Sequence, residues 1–345
     1  MRLGLIMGYS GAEVALDVGL AQQAEALGYH SVWTAEAYGS DALTPLAWIG
    51  AQTSKIRLGT AVMQLPARSP ACTAMTAMTL DALSGGRFIL GLGTSGPQVV
   101  EGWHGVPFGK PLTWLREYLA IVKQIFLRQD KLSFEGERYQ IPYHGPGSSG
   151  LGKPLKSIVH GRQDIPIYSG SMAPKSQELC AEMCDGLLLT CMHPERTDVI
   201  MDNLARGFAR TSGAATKTLA NFDIAPAVAV VVGSDLDACR LPLKASLALY
   251  LGGMGARNKN FYYEYVCRVG FEQAAAKVQA LYLDGKKNEA IAAVPDSLVD
   301  ALNLVGTPER IRDRFEVWKQ SGVGTMLVGT RDPIALRLMA ELALS

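Results

Sequence analysis

The sequence predicts an α/β protein of the (β/α)8 barrel class, on three observations. Short apolar runs of strand character alternate with amphipathic helical segments about eight times along the chain. Helix ends run into a glycine and then an apolar strand at Glu25-Ala26-Leu27-Gly28, Met183-Cys184-Asp185-Gly186 and Gln320-Ser321-Gly322, the junction that parallel βα repetition requires. The turn after the first strand, Gly8-Tyr9-Ser10-Gly11, lacks the full glycine fingerprint of a dinucleotide-binding sheet, which leaves a doubly wound open sheet as the alternative.

The elements follow in order. The first strand is expected over residues 3–8. Leu16, Leu20, Ala24 and Leu27 then recur at helical spacing, and Gly28 stands where a glycine would end that helix. Strands two to four are expected at 31–35, 56–64 and 87–93, with helices at 70–83 and 112–127. Strands five to seven are expected at 165–169, 186–192 and 223–233, with helices at 174–183 and 194–208. Thr307 and Pro308 read as the N-cap and first residue of a helix that carries Ile311, Phe315 and Trp318 on one face. The last strand is 325–330 and the closing helix 333–344.

Two stretches interrupt the repeat. Residues 130–164, between strands four and five, are rich in Gly, Pro and Tyr, with a small hairpin expected at 134–139. The second, about 234–306 between strands seven and eight, reads as helical at 236–251, 261–283, 286–293 and 295–304. Residues 1–345 are therefore expected to form one barrel domain with two insertions, placed where barrel active sites lie.

Composition removes several function classes. Hydrophobic residues make up 48% of the 345 residues and charged residues 19%, too apolar for a disordered chain. With 33 basic and 32 acidic residues the formal net charge is +1, without the basic excess of a general nucleic-acid binder. The most apolar run, residues 224–233, is about half the ~20 residues a membrane helix needs. The N-terminal apolar run is too short for a signal peptide and reads as a strand. Six scattered cysteines make no disulfide framework, so a cytoplasmic, reduced setting is expected.

The strand C-termini carry the candidate chemistry. Glu36 follows the second strand at the barrel mouth, either as a group that bonds cofactor or substrate or as a capping or salt-bridged acid. Ala61 and Val62 follow the third strand among small residues that allow close backbone approach, or simply ordinary packing. Gly93, Thr94 and Ser95 follow the fourth, where glycines around hydroxyls let N–H groups face a ligand. The turn at residues 169–176 is the best anion site, a flexible turn entering a helix whose first N–H groups are unpaired, with Ser hydroxyls and Lys175 nearby, or else a capped helix with no ligand. Tyr9, Tyr38, Thr190, His193, Arg257 and Lys259 are the expected substrate-pocket side chains, although a solvated turn accounts equally for the last two. Cys180 and Cys184 stand four apart on one helix and read as a buried face, and no metal site is expected.

Three runs together resemble the luciferase-like monooxygenase family. They are Gly28-Tyr29-His30-Ser31-Val32-Trp33-Thr34-Ala35-Glu36-Ala37, Arg57-Leu58-Gly59-Thr60-Ala61-Val62, and Leu83-Ser84-Gly85-Gly86-Arg87-Phe88-Ile89-Leu90-Gly91-Leu92-Gly93. Residues 252–263 and 281–287 are similar to the branch of coenzyme F420-dependent oxidoreductases. The resemblance implies a TIM barrel, usually dimeric, that binds a deazaflavin or flavin at its C-terminal face. It implies a non-prolyl cis peptide at Ala61–Val62 that props the ring, and a cofactor phosphate at Gly170, Ser171, Ala173 and Ser176. The acid–His pair that the family's alcohol and sugar-phosphate dehydrogenases carry after strand two survives only as Glu36, with Ala37 in the His position, and Gly96 stands where they carry a fourth-strand Glu. Alcohol oxidation needs a base for the hydroxyl proton, so reduction of an activated C=C or C=N bond in a small organic molecule is the better-supported direction, with Glu36, a tyrosine or water as proton source. The alternatives are an FMN-dependent monooxygenase and a non-catalytic flavin-binding barrel. Nothing in the residues selects a pterin as substrate.

Overall fold

The computed structural model describes residues 1–211 and 217–344. The strands are β1 (Arg2–Gly8), β2 (Ser31–Thr34), β3 (Arg57–Thr60), β4 (Met63–Gln64), β5 (Phe88–Gly93), β6 (Phe134–Glu135), β7 (Gln140–Ile141), β8 (Ile167–Gly170), β9 (Gly186–Leu189), β10 (Asp223–Val232), β11 (Leu304–Gly306) and β12 (Thr325–Gly329). The α-helices are α1 (Val18–Ala26), α2 (Leu43–Gly50), α3 (Pro70–Leu83), α4 (Pro97–Gly102), α5 (Pro111–Leu127), α6 (Pro174–Met183), α7 (Asp198–Phe208), α8 (Leu236–Gly252), α9 (Phe261–Val266), α10 (Glu272–Leu283), α11 (Lys287–Ala293), α12 (Asp296–Leu302), α13 (Pro308–Lys319) and α14 (Pro333–Leu344).

Eight parallel strands close a barrel in the order β1-β2-β3-β5-β8-β9-β10-β12, with β12 pairing back to β1. The (β/α)8 reading therefore holds, and the open sheet is excluded by closure. β4 and β11 are short additions paired to β5 and β10. Helices α8 to α12 form the insertion before the last helix–strand unit.

Several boundaries differ from the sequence reading. The third strand is not continuous over 56–64. It stops at Thr60, passes through a cis Ala61–Val62 peptide, and resumes as β4. The sixth strand ends at Leu189 and α7 starts at Asp198, four residues after Pro194. The 261–283 segment is two helices, because residues 267–271 form a wide π turn in which Gly270 takes φ +101°. Helices α2 and α4 were not expected. α2 is short, holds Pro45, and starts on the Asp41 carboxylate, which accepts from the Leu43 and Thr44 N–H groups. Gly28 (φ +86°) and Gly322 (φ +78°) end helices as expected, but Gly186 begins β9. It is glycine for space, since a Cβ there would lie 2.6 Å from the Tyr168 ring. In the excursion, Phe134–Glu135 pair with Gln140–Ile141, so Arg138 and Tyr139 belong to the turn.

The barrel interior is a separate small core of Trp33, Ile89, Tyr168, Leu188, Ala225 and Leu327, distinct from the large apolar layer between strands and helices. Gly4 and Gly59 make room for the Trp33 indole, with Cβ positions 2.8 and 2.2 Å from it. The N-terminal end is closed by polar contacts: Tyr168 and Thr325 donate hydroxyls to Asp223 at 2.8 and 2.7 Å, and Arg2 pairs with it at 3.0 Å. The Ser84-Gly85-Gly86-Arg87-Phe88 run is an architectural tie. The Arg87 guanidinium donates to Ser84 O, Ile56 O, Gly50 O, Thr53 O and Thr53 Oγ1, joining the β5 entry to the end of α2.

Candidate active site

Strand side chains alternate, so the residue two positions beyond each member of the inner core also faces the barrel axis. Those positions are Ala35 after Trp33, Gly91 after Ile89, Gly170 after Tyr168, Thr190 after Leu188, Ala227 after Ala225 and Gly329 after Leu327. Ala61 after Gly59 extends the ring, while on β1 a register shift between Ile6 and Gly8 breaks the alternation. Of these seven residues, only Thr190 extends beyond a methyl group. All but Gly91 are partly or fully open to solvent. A barrel filled to the Trp33–Tyr168 layer and empty of side chains above it holds a flat seat at its C-terminal mouth, where barrel enzymes place their chemistry.

Val62 forms one edge of the seat. A Cβ at Gly93 would lie 2.5 Å from Val62 Cγ2, and one at Gly170 would lie 2.9 Å from Val62 Cγ1. The two glycines accept the bulge because any side chain would displace it. The cis Ala61–Val62 bond sits where the family resemblance implied it.

The bulge is braced from outside by Glu36. Its Oε1 accepts from Gln64 N (2.8 Å) and Arg68 Nη1 (2.9 Å), and its Oε2 accepts from Ala42 N (3.0 Å). Gln64 returns its amide to the Glu36 and Ala37 carbonyls at 2.8 and 3.0 Å. Both Gln64 amide hydrogens are thereby used, so Gln64 Oε1 accepts and His104 donates from Nε2 at 3.2 Å. The Glu36 side chain is 7% exposed and every oxygen is committed within the protein. This geometry suits a residue that holds the bulge in place rather than one that exchanges protons with a ligand.

The β8–α6 turn carries the anion candidate. α6 starts at Pro174 with Ala173 as its N-cap, and no side chain caps it, so its first-turn N–H groups are left to an external acceptor. Gly170, Ala173 and Ser176 are half-buried, and the Ser176 hydroxyl donates to Ala173 O at 2.8 Å. Ser171 is enclosed: its hydroxyl meets Ser169 at 3.1 Å and its N–H donates to Leu188 O at 3.3 Å. Lys175 turns to Glu178 at 3.1 Å, away from the turn. The nearby cation is Arg268, from the insertion, which donates to Met172 O at 2.8 Å and keeps Nε buried without a partner. No sequence signal ties a residue almost a hundred positions downstream to this turn.

The remaining expected side chains are spread around the rim. Thr94 and Ser95 are half-buried after β5, Ser95 with φ +62°. Tyr9 and Tyr38 are 41% and 58% exposed. His193 donates its backbone N–H to the Tyr265 hydroxyl at 2.9 Å and accepts from Glu195 N at Nδ1, and burial lowers its pKa below the usual histidine range. Arg257 lies 3.9 Å from Asp284, and Lys259 sits 4.8 Å over the Phe108 ring. Two residues the sequence reading missed stand beside Thr190. Burial raises the Tyr262 hydroxyl pKa and Thr190 offsets part of that rise, and Tyr250 meets Tyr262 edge-on at 4.6 Å between centroids. Buried Asn260 fixes both, donating to Tyr250 O and Leu251 O and accepting from the Tyr262 and Tyr263 N–H groups. Among the described residues no His, Cys, Asp or Glu cluster could hold a metal ion, and no helix is long and apolar enough to cross a membrane.

The sequence profile of luciferase-like monooxygenases matches residues 5–325. The chain belongs to that family. It is 45% identical over 99% of both chains to a Mycobacterium tuberculosis protein provisionally named a coenzyme F420-dependent oxidoreductase. It is 28% identical, over 90% of this chain and 88% of the relative, to 5,10-methylenetetrahydromethanopterin reductase of Methanolobus tindarius. The solved F420-dependent tetrahydromethanopterin reductase of Methanopyrus kandleri superposes with a TM-score of 0.79 at 22% identity, covering 99% of this chain and 98% of that one, which shows the shared fold. Membership of this family agrees with the resemblance carried by the three sequence runs.

Proposed function

We propose that this chain is an F420-dependent oxidoreductase that moves a hydride between the deazaflavin and a small organic substrate, in the direction of reducing an activated C=C or C=N bond. The observation that carries the reading is the layer of Ala35, Ala61, Gly170, Ala227 and Gly329, small residues above the Trp33–Tyr168 core and edged by Val62. The names of the relatives support the cofactor. When bound, the deazaflavin supplies two electrons and a hydrogen as hydride. The seat fixes the ring by shape, the open first turn of α6 receives its phosphate at Gly170, Ala173 and Ser176, and Ser171 shapes that turn. Thr94 and Ser95 stand beside the seat after β5. Alcohol oxidation is disfavoured because Glu36 is committed to Arg68 and two N–H groups, and Ala37 and Gly96 offer no base.

The experiment is a parallel fluorescence titration with coenzyme F420 and with FMN. F420 is expected to bind at least tenfold more tightly, and Ser176→Asp to lower that affinity by at least tenfold through like-charge repulsion at the phosphate. Tight binding of FMN alone would move the protein to the monooxygenases. Unchanged F420 affinity in Ser176→Asp would remove the phosphate assignment.

We infer a homodimer from α2 and α3, which present an uncharged outer face with Trp48 and Met75 each 63% exposed and Leu83 81% exposed. A monomer mass by light scattering would refute it. The six free thiols support a reducing, cytoplasmic setting.

A further inference from the structure

The insertion delivers a cation to the barrel mouth. Residues 267–271, the π turn that splits the 261–283 helical run, dock between two barrel loops. On one side an added Cβ at Gly270 would lie 3.7 Å from Arg196 Nη1, and the Phe271 ring stands 6.4 Å from the His193 ring, both partners in the β9–α7 loop. On the other side Arg268 Nη2 donates to the Met172 carbonyl at 2.8 Å, inside the β8–α6 turn. Ala173, the N-cap of α6, follows Met172, so peptide geometry puts the guanidinium carbon no more than about 6.5 Å from the Ala173 nitrogen.

This placement is electrostatically uncompensated. A helix N-terminus carries partial positive charge, so a guanidinium beside it is repelled, and no side chain caps α6. The other cations along α6 are neutralised: Lys175, Arg206 and Arg210 each pair with Glu178 at 3.0–3.1 Å. Arg268 forms no ion pair among the described residues. Its contacts are the Met172 carbonyl and, at 5.7 Å, the Tyr265 ring, while Nε is buried without an acceptor. Glu264, four residues earlier, acts on it only from an exposed position beyond ion-pair distance. A guanidinium has five N–H groups and keeps its charge at every working pH, and the described residues engage one of the five. A half-buried charge set against a helix end of the same sign destabilises the fold unless an anion lies between them.

We propose that Arg268 is the counter-charge of the cofactor's phosphate, which is held between this guanidinium and the open N–H groups of α6. This rests on the F420 reading above. One anion satisfies both positive features at once, the helix end through backbone N–H groups and the guanidinium through charge-assisted hydrogen bonds. Arg268 is then a specificity residue: it separates deazaflavins that carry a phosphate from those that end in a hydroxyl. Because it belongs to the insertion, the bound phosphate also ties the insertion to the barrel.

The test titrates the full chain by fluorescence with three deazaflavins. They are coenzyme F420, the same chromophore ending in a ribityl 5′-monophosphate, and the same chromophore ending in a ribityl hydroxyl. Arg268→Met is expected to weaken binding of F420 and of the monophosphate at least tenfold each, and of the hydroxyl compound less than threefold. Arg268→Lys keeps the charge but replaces the planar fork by one ammonium. It is expected to weaken the two phosphorylated compounds at least threefold while sparing the hydroxyl compound, and it serves if Arg268→Met does not fold. An equal change for all three compounds, or none, would overturn the role of Arg268. A loss confined to F420 would give Arg268 to the carboxylates beyond the phosphate and overturn the phosphate assignment. Failure of the native protein to bind any of the three would remove the cofactor reading and this proposal with it, an outcome distinct from binding that Arg268 does not alter.

Discussion

Replacing Glu36 by Ala separates bracing from chemistry at this acid. The side chain is 7% exposed, and its loss strands the Ala42 and Gln64 N–H groups and the Arg68 guanidinium, itself only 19% exposed. Each charge-assisted bond of this kind contributes about 1.5–3 kcal/mol, and removing one partner of a buried pair costs about 3–5 kcal/mol, because the other charge stays behind. Asp41, 3.7 Å from Arg68, recovers part of the guanidinium's loss, which places the expected cost of Glu36→Ala near 4 kcal/mol, within that range. For a chain of this length that lowers the melting temperature by roughly 5 °C. Glu36→Gln keeps the shape and one acceptor and is expected to cost about half as much. The assay is urea unfolding followed by circular dichroism, with F420 affinity measured on the same samples. The brace predicts that stability and affinity fall together, since the Ala61–Val62 edge of the seat loosens. A Glu36→Ala variant within 1 kcal/mol of the native protein that has lost only turnover would refute the bracing argument and return Glu36 to the reaction.

Arg87→Lys is expected to destabilise by about 2–4 kcal/mol in urea, because one ammonium cannot span five acceptors that a planar guanidinium reaches at once. Stability within 0.5 kcal/mol of native would show that the run is not an architectural tie. Gly329→Leu is expected to lower F420 affinity at least tenfold with a smaller effect on folding. Its first neighbours stand 3.6 Å from an added Cβ, so the new side chain fits the barrel and intrudes on the seat. Unchanged affinity would place the ring elsewhere. His30 is buried beside Arg2 and Arg57, with Asp223 opposing them, and burial with those cations lowers it to about 4. Because the unfolded chain binds this proton near 6.5, the stabilisation is complete above that pH and is lost as pH falls toward 4. Melting curves across that window should flatten in His30→Gln, and an unchanged slope would exclude His30 as the group responsible.

Most of the barrel was legible because its signals are local. The helices at Pro70–Leu83, Pro174–Met183 and Pro333–Leu344 fall where proline starts and apolar spacing place them. The β3 boundary was not legible, since Leu58 to Met63 is apolar apart from Thr60 and offers no turn residue at Ala61 or Val62, yet the ladder stops at Thr60 and resumes at Met63. Gly186 misled for a physical reason: a helix-ending glycine and a glycine that makes room for a ring look alike in sequence. The site divided in the same way. Glu36, Val62, Gly170 and Thr190 follow strands and could be placed by counting. Tyr250, Tyr262 and Arg268 come from an insertion whose docking is set by long-range packing through Asn260 and the Met172 carbonyl, for which a single chain carries no periodic signal.

The seat is made of missing side chains, and that has a consequence for how this architecture diversifies. A pocket lined by functional groups can lose one and regain another, but a space defined by glycine and alanine can only be filled. Enlargement at Ala35, Ala61, Gly170, Ala227 or Gly329 intrudes on it, whichever residue arrives. The phenols and cations of the rim carry no such veto, because they stand on the turns and the insertion outside the ladder. Chains of this kind are therefore free to exchange one substrate for another while the ring beneath stays the same, and a change of cofactor should be rarer than a change of substrate.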